Sequence, residues 1–354
     1  MSSYFSQPIK IAGRMIGPGH PTYIIAEISA NHNHDIKEGI DLIKIAAECG
    51  ADAVKIQTYT PDTMTIDCDN EYFRIGKGSV WEGKNLYELY GEAYTPWEWL
   101  PELQVAANKV GITLFSTPFD QSSVDYLEEF NVPAHKIASF ELTDHALLRA
   151  VACTGKPVIM STGMGTLTEI AEAVHVLQKN GCKQFALLKC TSAYPAPPEE
   201  ANLARIKHMA EAFQVPVGLS DHTMGSTAPA VAVALGACIV EKHFTKSRQI
   251  EGPDSSFSME PDELRQLVEA VRVAEKAVGR VTYELTEKER NSRDFRRSLF
   301  AVKDIKAGEL LNSTNVRIIR PGYGLAPKHE DAVIGRKAKQ AIFRGTPLAW
   351  ELID

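Results

Sequence analysis

Tyr23-Ile24-Ile25-Ala26-Glu27-Ile28-Ser29-Ala30-Asn31-His32 is the stretch whose reading decides the fold. Its first half is a continuous apolar run, the pattern of a strand buried on both faces of a parallel sheet. Its second half turns polar and contains no glycine. An open doubly wound sheet needs a glycine-rich phosphate turn after its first strand. A closed barrel instead puts functional side chains at that strand end. Outward from this run lie seven more strand candidates: Ala53–Thr58, Thr113–Thr117, His135–Ser139, Pro157–Thr162, Phe185–Cys190, Val215–Asp221 and Cys238–Phe244. Amphipathic stretches such as Ile36–Glu48, Leu167–Lys179 and Asn202–Ala212 separate them. Eight strand–helix units ending near Thr245 match the arithmetic of an α/β fold of the (β/α)8 TIM-barrel type, at about 250 residues.

The rest of the chain falls into place around that barrel. Its 354 residues exceed one barrel, so a second module is expected. Residues 1–285 read as the barrel, 286–297 as a charged linker, and 298–354 as a small β-rich domain of short strands and turns. A helix is expected over Pro261–Val278. A long insertion, Tyr59–Trp99, follows the second strand and holds Trp81, Trp97 and Trp99. It belongs on the mouth side of the barrel, as a substrate lid or as a helix packed on the rim.

Composition narrows the function. Thirty-eight basic against 45 acidic side chains give a net charge of −7 with no basic stripe, so nucleic acid is not an expected partner. The N-terminus lacks a signal-peptide pattern, and the nearly apolar run Ala228–Val240 is short of the roughly 18 residues that cross a bilayer. The six cysteines show no CxxC spacing, and most sit in apolar surroundings that read as reduced, buried thiols. A cytoplasmic protein without membrane contact is expected.

Catalytic residues of a barrel stand at the C-terminal ends of its strands. Those ends here carry Glu27, Lys55 and Gln57, Thr117, Lys136 and Ser139 with Glu141 beyond, Ser161, Tyr194, Ser220 and His222, then Glu241 and His243. Polar side chains are costly in a barrel interior unless they are paired, and here every strand ends in them. His222 and His243 top adjacent strands and are placed to share one divalent ion such as Mn2+, Fe2+ or Zn2+, or else are simply hydrogen-bonded. Lys55 and Lys136, among hydroxyls, suit a phosphate and a carboxylate as charge clamps; Schiff-base chemistry and pairing with Glu27, Glu141 or Glu241 are the competing uses.

Glu27–Asn33, Val54–Thr58, Ser116–Phe119 and Lys136–Ser139 resemble the sialic acid synthase family, as do Ser161–Met164, Gly218–Thr223, Glu241–Thr245 and Gly252–Asp254. The tail, with Lys306–Glu309 and Arg320–Leu325, looks like that family's antifreeze-like (SAF) domain. Leu86–Tyr90, Ala93–Trp99 and Gly252–Ser258 look most like the branch that makes pseudaminic acid. Lys189 and Ser192 depart from what the N-acetylneuraminate and legionaminate branches often carry.

The resemblance implies a metal-dependent condensation of phosphoenolpyruvate with an open-chain N-acetylated amino sugar. For the pseudaminic branch the sugar is 2,4-diacetamido-2,4,6-trideoxy-L-altrose. His222 and His243 would hold the ion, Mn2+ or Mg2+; Lys55, Thr117, Lys136, Ser139, Ser161 and Ser220 would hold phosphoenolpyruvate. Gln57, Tyr194 and Asp254 would contact the sugar, while Glu27 and Glu241 would move protons. Arg320 would reach the sugar from a partner subunit, so the resemblance also implies a homodimer whose C-terminal domain caps the neighbouring barrel. The competing expectations are a synthase for another N-acetylated sugar and a non-catalytic barrel that senses sugar phosphates.

Overall fold

The structure is a computed structural model that describes residues 7–76 and 80–354. The first six residues of the N-terminal stretch, and 77–79 of the insertion, lie outside the described residues. The chain divides into two compact units, Met1–Gly279 and Arg280–Asp354.

The first unit opens with an antiparallel hairpin, β1 (Ile9–Ile11) and β2 (Arg14–Ile16). Eight parallel strands then close into a barrel. They are β3 (Tyr23–Glu27), β4 (Ala53–Thr58), β5 (Thr113–Pro118), β6 (His135–Ile137), β7 (Val158–Ser161), β8 (Phe185–Cys190), β9 (Val217–Asp221) and β10 (Ile239–His243), with β10 pairing back onto β3. Helices start where the local chemistry favours them. Asp35 caps the helix Ile36–Glu48 by accepting from Lys37 N, and Thr166 forms a reciprocal capping box with Glu169 ahead of Leu167–Lys179. Pro261 opens the helix Pro261–Val278, where its missing N–H costs nothing.

Side-chain alternation sorts the strands into two faces. Ile24, Ala26, Val54, Ile56 and Val240 pack outward against helix residues Leu42, Ile43, Leu103 and Leu264. The alternate positions Ile25, Ala53, Phe115, Ala134, Ile159, Leu188 and Ile239 form a separate cluster with Ile9, Ile11 and Ile16 of the hairpin, and no helix residue joins it. That cluster is the barrel interior, stoppered at its N-terminal end by the hairpin. The hairpin is absent from the sequence reading because strands of three residues carry too little alternation to register. Each buried isoleucine in it contributes about 1.5–3 kcal/mol of burial.

The second unit pairs β11 (Ser298–Ala301) with β12 (Val316–Ile319) antiparallel, around a core that includes Leu299, Leu311, Val316, Val333, Ile342 and Leu348. The stretch expected to be a linker carries a short helix, Glu287–Ser292, and a 3-10 turn, Arg293–Phe295. No helix among the described residues is long and apolar enough to cross a membrane.

Candidate active site

One step further along the inward-facing positions, the apolar interior gives way to charge. Beyond Ile25 comes Glu27; beyond Ala53, Lys55; beyond Phe115, Thr117; beyond Ala134, Lys136; beyond Ile159, Ser161; beyond Ile239, Glu241. Register brings them side by side, with Glu27 opposite both Lys55 and His243, and Ser220 opposite both Cys190 and Glu241. Lys55 Nζ contacts Glu27 Oε2 and donates to Thr117 Oγ1 at 3.0 Å. Lys136 Nζ donates to Ser161 Oγ at 2.6 Å and to the Ile137 carbonyl at 3.0 Å. Both ammonium groups lie 3.7 Å from Glu241 Oε1, to which Ser220 Oγ donates at 3.4 Å.

The charge-pairing use of the lysines is therefore present, yet the network is incomplete. Glu241 Oε2 is buried with no hydrogen-bond partner, as is Glu141 Oε2. Orphaned oxygens of this kind are expensive in a finished structural network and ordinary where a ligand completes it. Burial pushes Lys55 down to about 8, against the opposing pull of Glu241. Burial works against ionised Glu241 too, but Lys136 and Lys55 outweigh it and hold the carboxyl below its usual range. Burial also lifts Glu141 to about 7.

Above this layer, Gly163 N donates to Ser139 Oγ at 3.1 Å. A Cβ on Gly163 would collide with Ser192 Oγ and sit 2.7 Å from Ser139 Oγ, so the close approach of these loops requires glycine. Gln57 is half-buried, two positions beyond Lys55 and opposite Thr117.

His222 and His243 stand together, with ring centroids 5.4 Å apart. Lys242 and Asp221, paired at 2.6 Å on the outer face, clasp the strand ends that carry them. His222 Nδ1 donates to the Thr191 carbonyl at 2.7 Å, with Cys190 Sγ 4.0 Å away. His243 Nδ1 lies 3.3 Å from Ser29 Oγ and 3.9 Å from Asp254 Oδ2, and the Ser29 hydroxyl donates to that carboxylate. Burial drives His243 well below the ordinary histidine range, keeping the ring neutral.

An aromatic wall closes the far side. Tyr194 tilts over His222 at 4.2 Å, Phe257 lies 5.1 Å from Tyr194 and from His243, and Trp81 of the insertion packs 5.5 Å from Tyr194. Trp81 Nε1 donates to the Pro253 carbonyl at 2.8 Å. Part of the insertion therefore lies over the mouth, while its helix Leu86–Ala93 buries only Leu89. Burial raises Tyr194, so its hydroxyl stays protonated.

Among the described residues, no three His, Cys, Asp or Glu side chains converge as a ready metal cage. The donor chemistry nevertheless fits a divalent ion. Both rings have Nδ1 engaged by an oxygen, which leaves each Nε2 to ligate, and two imidazoles leave positions for oxygen ligands from substrate.

The structure thus brings together Glu27, Lys55, Gln57, Thr117, Lys136, Ser139, Ser161, Tyr194, Ser220, His222, Glu241, His243 and Asp254 at one barrel end. Arg320 lies in the second unit, exposed, in the residue after β12. Asn31 and His32, beyond the first strand end, tie loops together: Asn31 Nδ2 donates to the Phe244 carbonyl and to Ser258 Oγ, both at 2.9 Å, with its Oδ1 buried and unpartnered, and His32 Nε2 meets Thr95 Oγ1 at 3.0 Å. Of the cysteines, Cys49, Cys182, Cys190 and Cys238 are buried as expected, whereas Cys68 is half-buried and Cys153 exposed, and Cys190 lies beside His222. Burial opposes its thiolate, but His222 and Lys136 bring it down to about 7. Inward alternation from Leu188 could have flagged Cys190; nothing in the sequence flags the part played by Ser29 or Phe257.

Comparison with known proteins finds relatives along most of the chain. Residues 42–283 match the NeuB family model and residues 296–354 the SAF domain model. The chain is 45% identical over 326 residues to the pseudaminic acid synthase of Campylobacter jejuni strain 81-176, covering 92% of this chain and 95% of that one. It is 42% identical over 335 residues to the pseudaminic acid synthase of Helicobacter pylori, covering 94% and 98%. The crystal structure of N-acetylneuraminic acid synthetase from Leptospira borgpetersenii superimposes with a TM-score of 0.73 at 33% identity, covering 82% of this chain and 96% of that one. The resemblance first read from the strand-end motifs is borne out, and the chain belongs to the NeuB family, with a SAF domain at its C-terminal end.

Proposed function

We propose that this protein is a pseudaminic acid synthase, condensing phosphoenolpyruvate and water with 2,4-diacetamido-2,4,6-trideoxy-L-altrose to give pseudaminic acid and phosphate. The observation that carries the reading is a pair of buried lysines, set among hydroxyls, facing two imidazoles with free Nε2 atoms at one barrel end. The similarity to pseudaminic acid synthases supports the choice of sugar.

Lys55 and Lys136 offset the charge of phosphoenolpyruvate, while Thr117, Ser139, Ser161 and Ser220 donate to its oxygens. His222 and His243 would hold a divalent ion, Mn2+ or Mg2+, which would supply Lewis acidity for polarising the sugar's carbonyl. Tyr194, Gln57 and Asp254 orient the open-chain sugar so that its C1 faces C3 of phosphoenolpyruvate. The aromatic wall of Trp81, Tyr194 and Phe257 excludes bulk water. Bond formation between C3 and C1 leaves C2 electron-poor. Glu27, held by Lys55 and by Ser29 N at 2.7 Å, takes one proton of the water that adds there and returns it to the departing phosphate, while Glu241 on the opposite side takes the other as C2 becomes a ketone and passes it to the alkoxide oxygen left at C1. Arg320 of one subunit contacts the sugar in the barrel of its neighbour, within a cytoplasmic homodimer.

The test is phosphate release from phosphoenolpyruvate with Mn2+, with the diacetamido-trideoxy-L-altrose, N-acetylmannosamine and the legionaminate precursor run side by side and product mass as readout. Turnover with the altrose sugar alone is expected. Turnover with either other sugar instead would keep the chemistry and move the protein to another branch. Silence with all three would return it to the sugar-phosphate-sensing reading.

A further inference from the structure

We infer that Ser29 is a positioning residue whose hydroxyl relays the Asp254 carboxylate onto His243 and so sets which ring nitrogen is free to bind metal. The inference rests on the reading of His222 and His243 as the metal pair.

Asp254 Oδ2 is 3.9 Å from His243 Nδ1, beyond hydrogen-bond reach. Ser29 Oγ fills the gap, donating to Asp254 Oδ2 and lying 3.3 Å from Nδ1. A hydroxyl has one proton, and a carboxylate only accepts. With that proton directed at Asp254, the Ser29 oxygen offers His243 a lone pair, and the contact is favourable only when Nδ1 carries the hydrogen. The free lone pair of the ring is then on Nε2. His222 reaches the same tautomer by a different device, donating from Nδ1 to the Thr191 carbonyl at 2.7 Å. The two rings are thus prepared alike, one by a backbone oxygen and one by a carboxylate acting through a hydroxyl.

The backbone at Ser29 points the same way. Its φ is +31°, in the region that favours glycine, and the residue is 1% exposed. Glycine would adopt this conformation at less cost and would still donate its N–H to Glu27 Oε1, as Ser29 does at 2.7 Å. What serine adds is the hydroxyl. One turn thereby connects Glu27, His243 and Asp254, and Asp254 acquires a role at the metal pair besides any contact with substrate.

The experiment titrates Mn2+ alone into the full-length protein and into Ser29→Gly, Asp254→Ala and the double variant, with melting temperature as the fold control. Glycine suits the left-handed backbone, and Ser29→Ala, titrated likewise, covers the case in which glycine loosens the turn. Ser29→Gly is expected to weaken Mn2+ binding about 10- to 100-fold with an unchanged melting temperature. The double variant is expected to bind no more weakly than the worse single variant, because both substitutions break one relay. An unchanged Kd in Ser29→Gly, losses that multiply in the double variant, or wild-type protein that takes up no Mn2+ would each overturn the relay. The titration uses no substrate, so failure of the synthase reading shows separately, as absent turnover in wild-type protein that still binds Mn2+.

Discussion

Lys55 sets the pH dependence expected of substrate capture. Buried beside Thr117, with Glu27 and Glu241 as its counter-charges, it is pushed down to about 8 from the usual lysine range near 10.5. Below that value the ammonium is charged and attracts an anion; as pH rises through it, the proton and the attraction are lost together. The value of kcat/KM for phosphoenolpyruvate should therefore fall about tenfold per pH unit above roughly pH 8. At saturating substrate, kcat should hold to higher pH, because a bound phosphate favours the charged lysine. A kcat/KM profile flat to well above pH 8 would show that Lys55 does not capture the anion. The sign for stability is opposite. The folded state disfavours charged Lys55, so the unliganded fold gains stability between about pH 8 and 10.5 while affinity is being lost.

The eight strands were legible as elements because continuous apolar runs bounded by polar ends have few other readings, and the structure returns all eight. The helices Ile36–Glu48, Leu167–Lys179 and Pro261–Val278 match residue for residue, since caps and apolar periodicity agree at their ends. The polar layer was legible for the same reason, as side chains at strand ends that a barrel core would not otherwise contain. What the sequence could not convey was contact between loops. The left-handed turn at Ser29, the Tyr194–Phe257 packing and the seating of Trp81 on Pro253 join residues far apart in the chain, and no local pattern encodes them. Trp81 gives this an experimental consequence. Replacing it with alanine removes an indole hydrogen bond and the packing on Tyr194 without touching the barrel core. The KM for the sugar should rise about tenfold, a loss of about 1.4 kcal/mol, with the KM for phosphoenolpyruvate unchanged. Equal losses for both substrates would mean that the insertion braces the whole mouth and is not a wall for the sugar alone.

Each unit of the molecule has its own apolar core, the barrel's two layers in one and the Leu299–Leu348 cluster in the other. The proposed assembly asks these units to cooperate between subunits, with Arg320 from one chain serving the barrel of the next. That claim can be tested without dissecting the protein. Arg320→Ala should lose most sugar use with its barrel intact, and His243→Ala should lose turnover with its arginine intact. In a homodimer formed by refolding an equal mixture of the two, half of the dimers are mixed. A mixed dimer pairs one intact barrel with the intact arginine of the other chain, giving one complete site out of two. Activity should therefore recover to about a quarter of wild type. If each chain instead used its own arginine, no mixture could contain a complete site and activity would stay at the level of the separate variants. Recovery requires the sites to be shared between chains, whatever the kinetic details of either variant.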